Sequence, residues 1–248
     1  MGETEAVSVR RITTGVVRAR RASRGALRYV IDDWEDDTLP VNAYVVEHPG
    51  GRCLFDAGQS AAATQPGYFP AWHPFLRLAR FELDPSDELV TQLERIGIPP
   101  YSVDQIVLSH LHTDHVGGIG AFRSAEILVA DAEWRRARGI RGRLRGYLPR
   151  HWPEGMRVRT VATDGPALGP FAGTYDVLGD GRLTIVPTPG HTPGHLALVV
   201  RGDGRTWLLA GDLAHHPSEL AATAPAIARW CTAERVEVLT AHDDAARP

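Results

Sequence analysis

Short apolar segments recur along most of the chain, separated by turn residues or by stretches of helical periodicity. Val41 to Glu47, a His48-Pro49-Gly50-Gly51 turn and Arg52 to Phe55 predict a strand, a tight connection and a second strand. Asp84-Pro85 offers a helix N-cap with proline at the first helical position. Leu89, Leu93 and Ile96 then share one face, and Gly97 stops the helix. Ile106-Val107-Leu108 is a buried-strand pattern, Ile127 to Ala130 is another, and Ala132 to Arg138 is helical. The second half repeats the rhythm, with strands at Leu183–Val186, Leu196–Val200, Trp207–Ala210 and Val236–Leu239, and a helix over Thr223–Cys231 that contains Pro225. No Ser/Gly linker and no short-period repeat interrupts it, so residues 1–248 are expected to form one domain of mixed α/β type.

Composition changes this picture little. A chain of 248 residues, 43% hydrophobic and 23% charged, can bury a substantial core. A formal net charge of −3 argues against nucleic acid or an anionic membrane as partner. All 27 basic residues are arginine, which reads as coding bias rather than function. The two cysteines, Cys53 and Cys231, fit no metal or redox spacing, and no disulfide framework is expected. Met1 to Arg11 lacks the apolar stretch of a signal peptide, and runs such as Leu196–Val200 are too short to cross a bilayer. A soluble cytoplasmic protein is the expectation.

The chemistry concentrates at strand ends. Ser109-His110-Leu111-His112-Thr113-Asp114-His115-Val116-Gly117-Gly118 places three histidines and an aspartate within six residues, directly after an apolar strand. Positions i and i+2 at a strand end point the same way, so His110 and His112 can share one ion. Beyond the turn, Asp114 and His115 can face a neighbouring ion, and the two glycines remove bulk where the backbone bends. Imidazole with carboxylate suits zinc and related first-row ions, whereas magnesium or calcium would be held mostly by oxygen. Pro189-Gly190-His191-Thr192-Pro193-Gly194-His195, Gly211-Asp212 and Ala241-His242-Asp243 each follow a further apolar strand. Together they can complete two coordination spheres.

These residues resemble the metallo-β-lactamase superfamily of hydrolases, over about Val41 to His242. The resemblance implies an αββα four-layer sandwich with the metals at one edge of two facing sheets. Carried onto this chain, it implies that His110, His112 and His191 hold one ion, Asp114, His115 and His242 hold a second, and Asp212 bridges both. Two zinc ions are the implied cofactor, other first-row divalent metals being possible. Members that are true β-lactamases lack the bridging aspartate, so Asp212 argues against that activity. The glutathione-contacting pattern of glyoxalase II-like thioesterases is not found after Asp212. Length and charge leave little room for the nucleic-acid-binding segments of RNA-processing members.

Within the superfamily the chain is most similar to the N-acyl-homoserine lactone lactonases. The similarity rests on Leu108–His115 followed by Gly117-Gly118-Ile119-Gly120-Ala121-Phe122, on Thr188–His195 and on His242-Asp243. One position departs from the pattern. Three residues after the bridging aspartate, where those lactonases carry a tyrosine that polarises the lactone carbonyl, this chain has His215, followed by His216. Whether His215 or His216 takes the tyrosine's place is open at this level.

The expected reaction is the opening of a lactone ring by a hydroxide held between two metals about 3.5–4 Å apart. His215 would donate a hydrogen bond to the carbonyl oxygen, and Asp114 would pass a proton to the leaving alkoxide, which makes both candidate catalytic residues. Hydrolysis of another ester, such as a phosphotriester or thioester, is the alternative, and a non-catalytic metal-bound ligand sensor is a reading of a different class. His195 is expected to support the site without being a ligand, while His48, His73 and His151 carry no pattern. The aromatic stretch Tyr68–Phe81 lines a pocket or packs in the core. The arginine-rich stretch Arg135–Arg150 is read as a solvated face, with cover of the site as the alternative. The lactonase resemblance is compatible with a homodimer.

Overall fold

The computed structural model describes residues 6–19, 38–71, 79–139, 142 and 145–244. Strands β1 (Ser8–Ala19), β2 (Thr38–His48), β3 (Gly51–Phe55), β4 (Ala79–Glu82), β5 (Gln105–Val107), β6 (Glu126–Ala130) and β7 (Arg157–Val161) form one mixed sheet in the order β4-β1-β2-β3-β5-β6-β7. Strands β8 (Tyr175–Asp176), β9 (Leu183–Pro187), β10 (Leu196–Arg201), β11 (Thr206–Leu209) and β12 (Val236–Leu239) form a second, in the order β12-β11-β10-β9-β8. Among the described residues the α-helices are α1 (Leu89–Arg95), α2 (Thr113–Val116), α3 (Asp131–Arg138), α4 (Leu220–Thr223) and α5 (Pro225–Ala233).

Central strands such as β6, β10 and β11 read as near-continuous apolar runs because both their faces are buried. Tyr44, Val46, Phe55, Val107 and Leu128 of the first sheet pack against Leu183, Ile185, Leu198, Val200 and Leu209 of the second. Their neighbours point the other way: Ala43, Val45, Ile106, Ile127 and Val129 meet Leu89, Leu93 and Ala137 from the helices. On the far side, Val186, Ala197, Val199 and Leu208 meet Leu220 and Cys231. Two sheets face to face with a helical layer outside each make the expected αββα sandwich. Each large aliphatic side chain in these layers contributes about 1.5–3 kcal/mol by leaving water.

The sheet order sets where the chemistry can lie. Strands β3, β5 and β6 run parallel, so their C-terminal ends reach the same edge. Strands β11 and β12 are also parallel, which brings Asp212 and His242 to one end of the second sheet. Every expected ligand follows one of these strands or β9.

Three expectations need correction. Ile96 is not on the buried face of α1: it is 42% exposed, whereas Leu89 and Leu93 are fully buried. The helix starts at Leu89, because Asp84 caps a short 3-10 turn at Pro85–Asp87 and Glu88 then takes an extended backbone. The helix expected over Thr223–Cys231 is divided, since Ala224 precedes proline and leaves the helical region at φ −141°, ψ 68°. Strands β1, β4, β7 and β8 were not foreseen; β1 runs through Ser8-Val9-Arg10-Arg11-Ile12-Thr13-Thr14, too polar to stand out.

Phe69 and Phe81 pack with Val17, Val41 and Leu148, so this part of the aromatic stretch is core, while Trp72, His73 and Phe75 lie outside the described residues. Arg135, Arg138, Arg145 and Arg150 are exposed, whereas Arg136 is partly buried with its Nε enclosed, and Arg141 and Arg143 lie outside the described residues. Cys53 and Cys231 are buried free thiols. No helix among the described residues is long and apolar enough to cross a membrane.

Candidate metal centre

β5 ends at Val107, and the next residues carry the first ligands out of the sheet edge. Leu111 is buried and turns the opposite way from its neighbours, so His110 and His112 converge as the i, i+2 spacing requires. His112 is the N-cap of α2, whose first turn holds Asp114 and His115. The following bend lies tight against the loop after β3: a Cβ at Gly117 would stand 2.6 Å from the Ser60 nitrogen, and one at Gly118 would collide with the Ala57 carbonyl oxygen.

Two trios of donors face one another across Asp212. His110 Nε2 lies 2.9 Å from His112 Nδ1, which lies 3.1 Å from His191 Nε2. A tetrahedral zinc with about 2.0–2.1 Å bonds sets its ligand nitrogens about 3.3 Å apart, close to this spacing. In the second trio, Asp114 Oδ2 is 3.8 Å from His115 Nε2 and 3.9 Å from His242 Nε2. Asp212 divides its carboxylate between them. Oδ2 is 3.4 Å from His191 Nε2 and 3.8 Å from His110 Nε2, while Oδ1 is 3.4 Å from both His115 Nε2 and His242 Nε2.

The tautomers are set from outside. Asp56 Oδ1 accepts the Ser109 backbone N–H at 2.7 Å, and its Oδ2 accepts the Ser109 hydroxyl and His115 Nδ1, both at 2.8 Å. With its proton committed to Asp56, Ser109 Oγ accepts from His110 Nδ1 at 3.0 Å. His242 Nδ1 donates to the Pro40 carbonyl at 2.7 Å. His110, His115 and His242 therefore all commit Nδ1 outward and turn Nε2 inward, unprotonated in neutral His110 and free for an ion in His115 and His242 once its proton is displaced. Buried His115 Nε2 and Asp212 Oδ1 have no hydrogen-bond partner, a costly state that a bound cation would relieve. The residues present fit a metal pair.

Electrostatics distinguish the trios. Burial, then the His115 and His112 rings, hold His110 well below the usual histidine range. Burial and His191 bring His112 down to about 4, and His191 is lowered mainly by burial at its inner end. Burial works against charge on His115 and His242 too, but Asp212 leads a set of carboxylates that carries both above the usual range. Burial would raise Asp212, yet His115 and His242 keep it well below the ordinary carboxylate range.

His195 stays outside the trios, as expected: its Nε2 accepts the Asp212 backbone N–H at 3.1 Å, its Nδ1 donates to Thr188 Oγ1 at 2.8 Å, and burial lowers it to about 3. His215 is exposed at the rim, its ring edge-on to His242 at 5.6 Å. His216 turns away, with Nδ1 2.7 Å from Ser218 Oγ and Nε2 3.5 Å from Asp243. Of the pair, His215 is the one beside the ligands. Tyr68 is partly buried next to Thr113, with the His151 ring tilted against it at 4.0 Å between centroids; His48 instead pairs with Asp180 away from the site. Two buried acids escaped the sequence reading, Asp56 and Glu133. Asp56 had a usable signal, since it follows Leu54-Phe55 at a strand end just as the ligands do. It holds a left-handed backbone, φ 60°, a strain of about 1–3 kcal/mol of the kind found at functional sites.

Known proteins resemble this chain in sequence and in fold. Residues 36–244 match the model of the metallo-β-lactamase superfamily. N-acyl homoserine lactonase AttM of Rhizobium radiobacter is 34% identical over 189 residues, covering 73% of this chain and 67% of that one. A probable metallo-hydrolase of Mycobacterium tuberculosis is 34% identical over 188 residues, covering 73% of this chain and 59% of its own. Among solved structures, an N-acyl homoserine lactone hydrolase with N-hexanoyl-L-homoserine at its catalytic metal centre superposes with a TM-score of 0.72 at 20% identity, covering 98% of this chain and 94% of that one. AidC, a dizinc quorum-quenching lactonase, superposes with a TM-score of 0.65 at 15% identity, covering 99% and 90%.

Proposed function

This chain belongs to the metallo-β-lactamase superfamily, and on that premise we propose that it is a metal-dependent hydrolase that opens the ring of N-acyl-homoserine lactones. The observation that carries the reading is the divided carboxylate of Asp212, one oxygen toward each histidine trio. His110, His112 and His191 would hold the first ion, Asp114, His115 and His242 the second, with Asp212 shared between them. A nitrogen-rich set with two carboxylates suits zinc. A pair of such ions, when bound, supplies a water of lowered pKa and polarises the substrate carbonyl.

The chain's own groups do the rest. Asp212 keeps its negative charge while buried and so fixes the spacing of the two trios. His215, exposed beside His242, donates an imidazole N–H to the carbonyl oxygen as charge develops there. Asp114 takes the proton that the attacking water gives up and passes it to the departing alkoxide. Residues 1–248 act as one catalytic domain, and the substrate is a small molecule.

Proton release from a panel of acyl-homoserine lactones, with metal-loaded protein and Asp212→Asn as control, tests the assignment. Turnover that collapses in the variant supports it, and an Asp114→Asn variant with both metals and full turnover would remove the proton-transfer role. A second reading rests on His215 standing where the lactonases carry a phenol: hydrolysis of a phosphotriester or thioester. Activity on aryl phosphotriesters or thioesters, with none on any lactone in protein holding two metals per chain, would replace the first reading by this one.

A further inference from the structure

Glu133 lies in the first turn of α3, fully buried and outside the donor set. Its carboxylate reaches both loops that carry the first trio. Oε1 accepts the Leu111 backbone N–H at 3.1 Å, from the peptide between His110 and His112. Oε2 accepts the Gly194 backbone N–H at 3.3 Å, three residues after His191. Oε1 also accepts the Tyr147 hydroxyl at 2.8 Å, and the ring of this buried tyrosine lies 4.9 Å from that of His112. One side chain thus touches the surroundings of all three ligands.

The packing at Gly194 is an independent sign of the same join. A Cβ there would stand 2.6 Å from Glu133 Cβ and 2.7 Å from its Cα, so only glycine lets the His191 loop close onto α3. The second trio is arranged differently: His115 is held by Asp56 and His242 by the Pro40 carbonyl. None of the hydrogen bonds to Glu133 named above comes from a residue of that trio.

We propose that Glu133 is a positioning residue for the His110/His112/His191 half of the metal centre alone, clamping its two loops at the separation one ion requires. The inference rests on the reading of that trio as a metal site. Loss of such an outer partner costs about 10–100-fold in metal affinity. It should fall on one ion and leave the other unchanged.

The test is a titration of the metal-free full chain with Co²⁺, followed by visible absorption, for wild type, Glu133→Ala, Glu133→Gln, Tyr147→Phe and two double variants. Wild type that fails to take up two ions per chain would overturn the proposed function itself. With two ions bound by wild type, Glu133→Ala is expected to weaken one by about 10–100-fold. Glu133→Gln, which keeps an acceptor for Leu111 and Tyr147, restores most of the loss. Tyr147→Phe, which removes one donor and keeps the ring, weakens the same ion by about 3–10-fold. Glu133→Ala added to His191→Ala leaves the remaining ion as tight as in His191→Ala alone, whereas added to His242→Ala it weakens the ion that remains. Equal weakening of both ions in Glu133→Ala, or unchanged binding of both, would overturn the inference.

Discussion

The two halves of the proposed metal centre are built from similar side chains and prepared in opposite ways. His110, His112 and His191 are kept neutral by burial and by one another, with His112 brought down to about 4. His115 and His242 are surrounded by carboxylates that outweigh burial and raise both. The first half is open, since His191 keeps 31% of its side chain exposed, while His115 and His242 are closed in at 1% and 5%. Donor type alone therefore does not determine how a site meets its ion. The first half is ready for a cation near neutral pH, and the second must exchange protons for one.

The largest expected effect breaks both halves at once. Asp212→Asn removes the shared charge, and turnover should fall by more than about 100-fold, beyond the range typical of losing an outer partner. Metal content per chain, measured beside turnover, shows whether both ions weaken as the divided carboxylate requires. Next is pH. His115 and His242 hold protons up to raised pKa values, so the second ion competes with them, and its affinity rises with pH until those values are passed. Below them it should weaken by about tenfold per pH unit for each proton displaced. The first ion should be less sensitive to falling pH, because burial holds His110, His112 and His191 below the usual histidine range. Calorimetric titration in buffers of different ionisation heat would show protons released with the second ion and few with the first.

Asp56→Asn sharpens the contrast further, because Asp56 bonds His115 directly and His110 only through Ser109. The second ion should weaken by about 10–100-fold and the first by less, which equilibrium dialysis can separate. The smallest effect is expected from His195→Ala. It leaves the Asp212 N–H without its acceptor, at a cost of about 1–3 kcal/mol in urea unfolding, and should weaken both ions alike.

Sequence made the proposed ligands legible for a physical reason: each follows an apolar strand, and strands that run parallel deliver their ends to one edge. The same logic recovered β2, β3, β6 and β9–β12 within a residue or a few. It failed where burial has no local pattern. β1 pairs with both β2 and β4, but its Arg10-Arg11 and Thr13-Thr14 disguise it as a loop. Ile96 continues the spacing of Leu89 and Leu93, yet the helix ends before it and leaves it in solvent. Glu133 looked like one more charge on an arginine-rich helix, and only the folding of two distant loops onto it reveals its three hydrogen bonds. The different placements of His215 and His216 likewise needed the turn that sends His216 to Ser218 and Asp243.

The central claim is that two unlike halves joined by Asp212 hold two ions and act as one site. The most direct measurement is lactone turnover followed while Zn²⁺ is added stepwise to the metal-free chain at neutral pH. The account predicts two ions bound per chain, with the full rate reached only as the second is taken up. Full turnover with a single ion per chain, or with none, would contradict it.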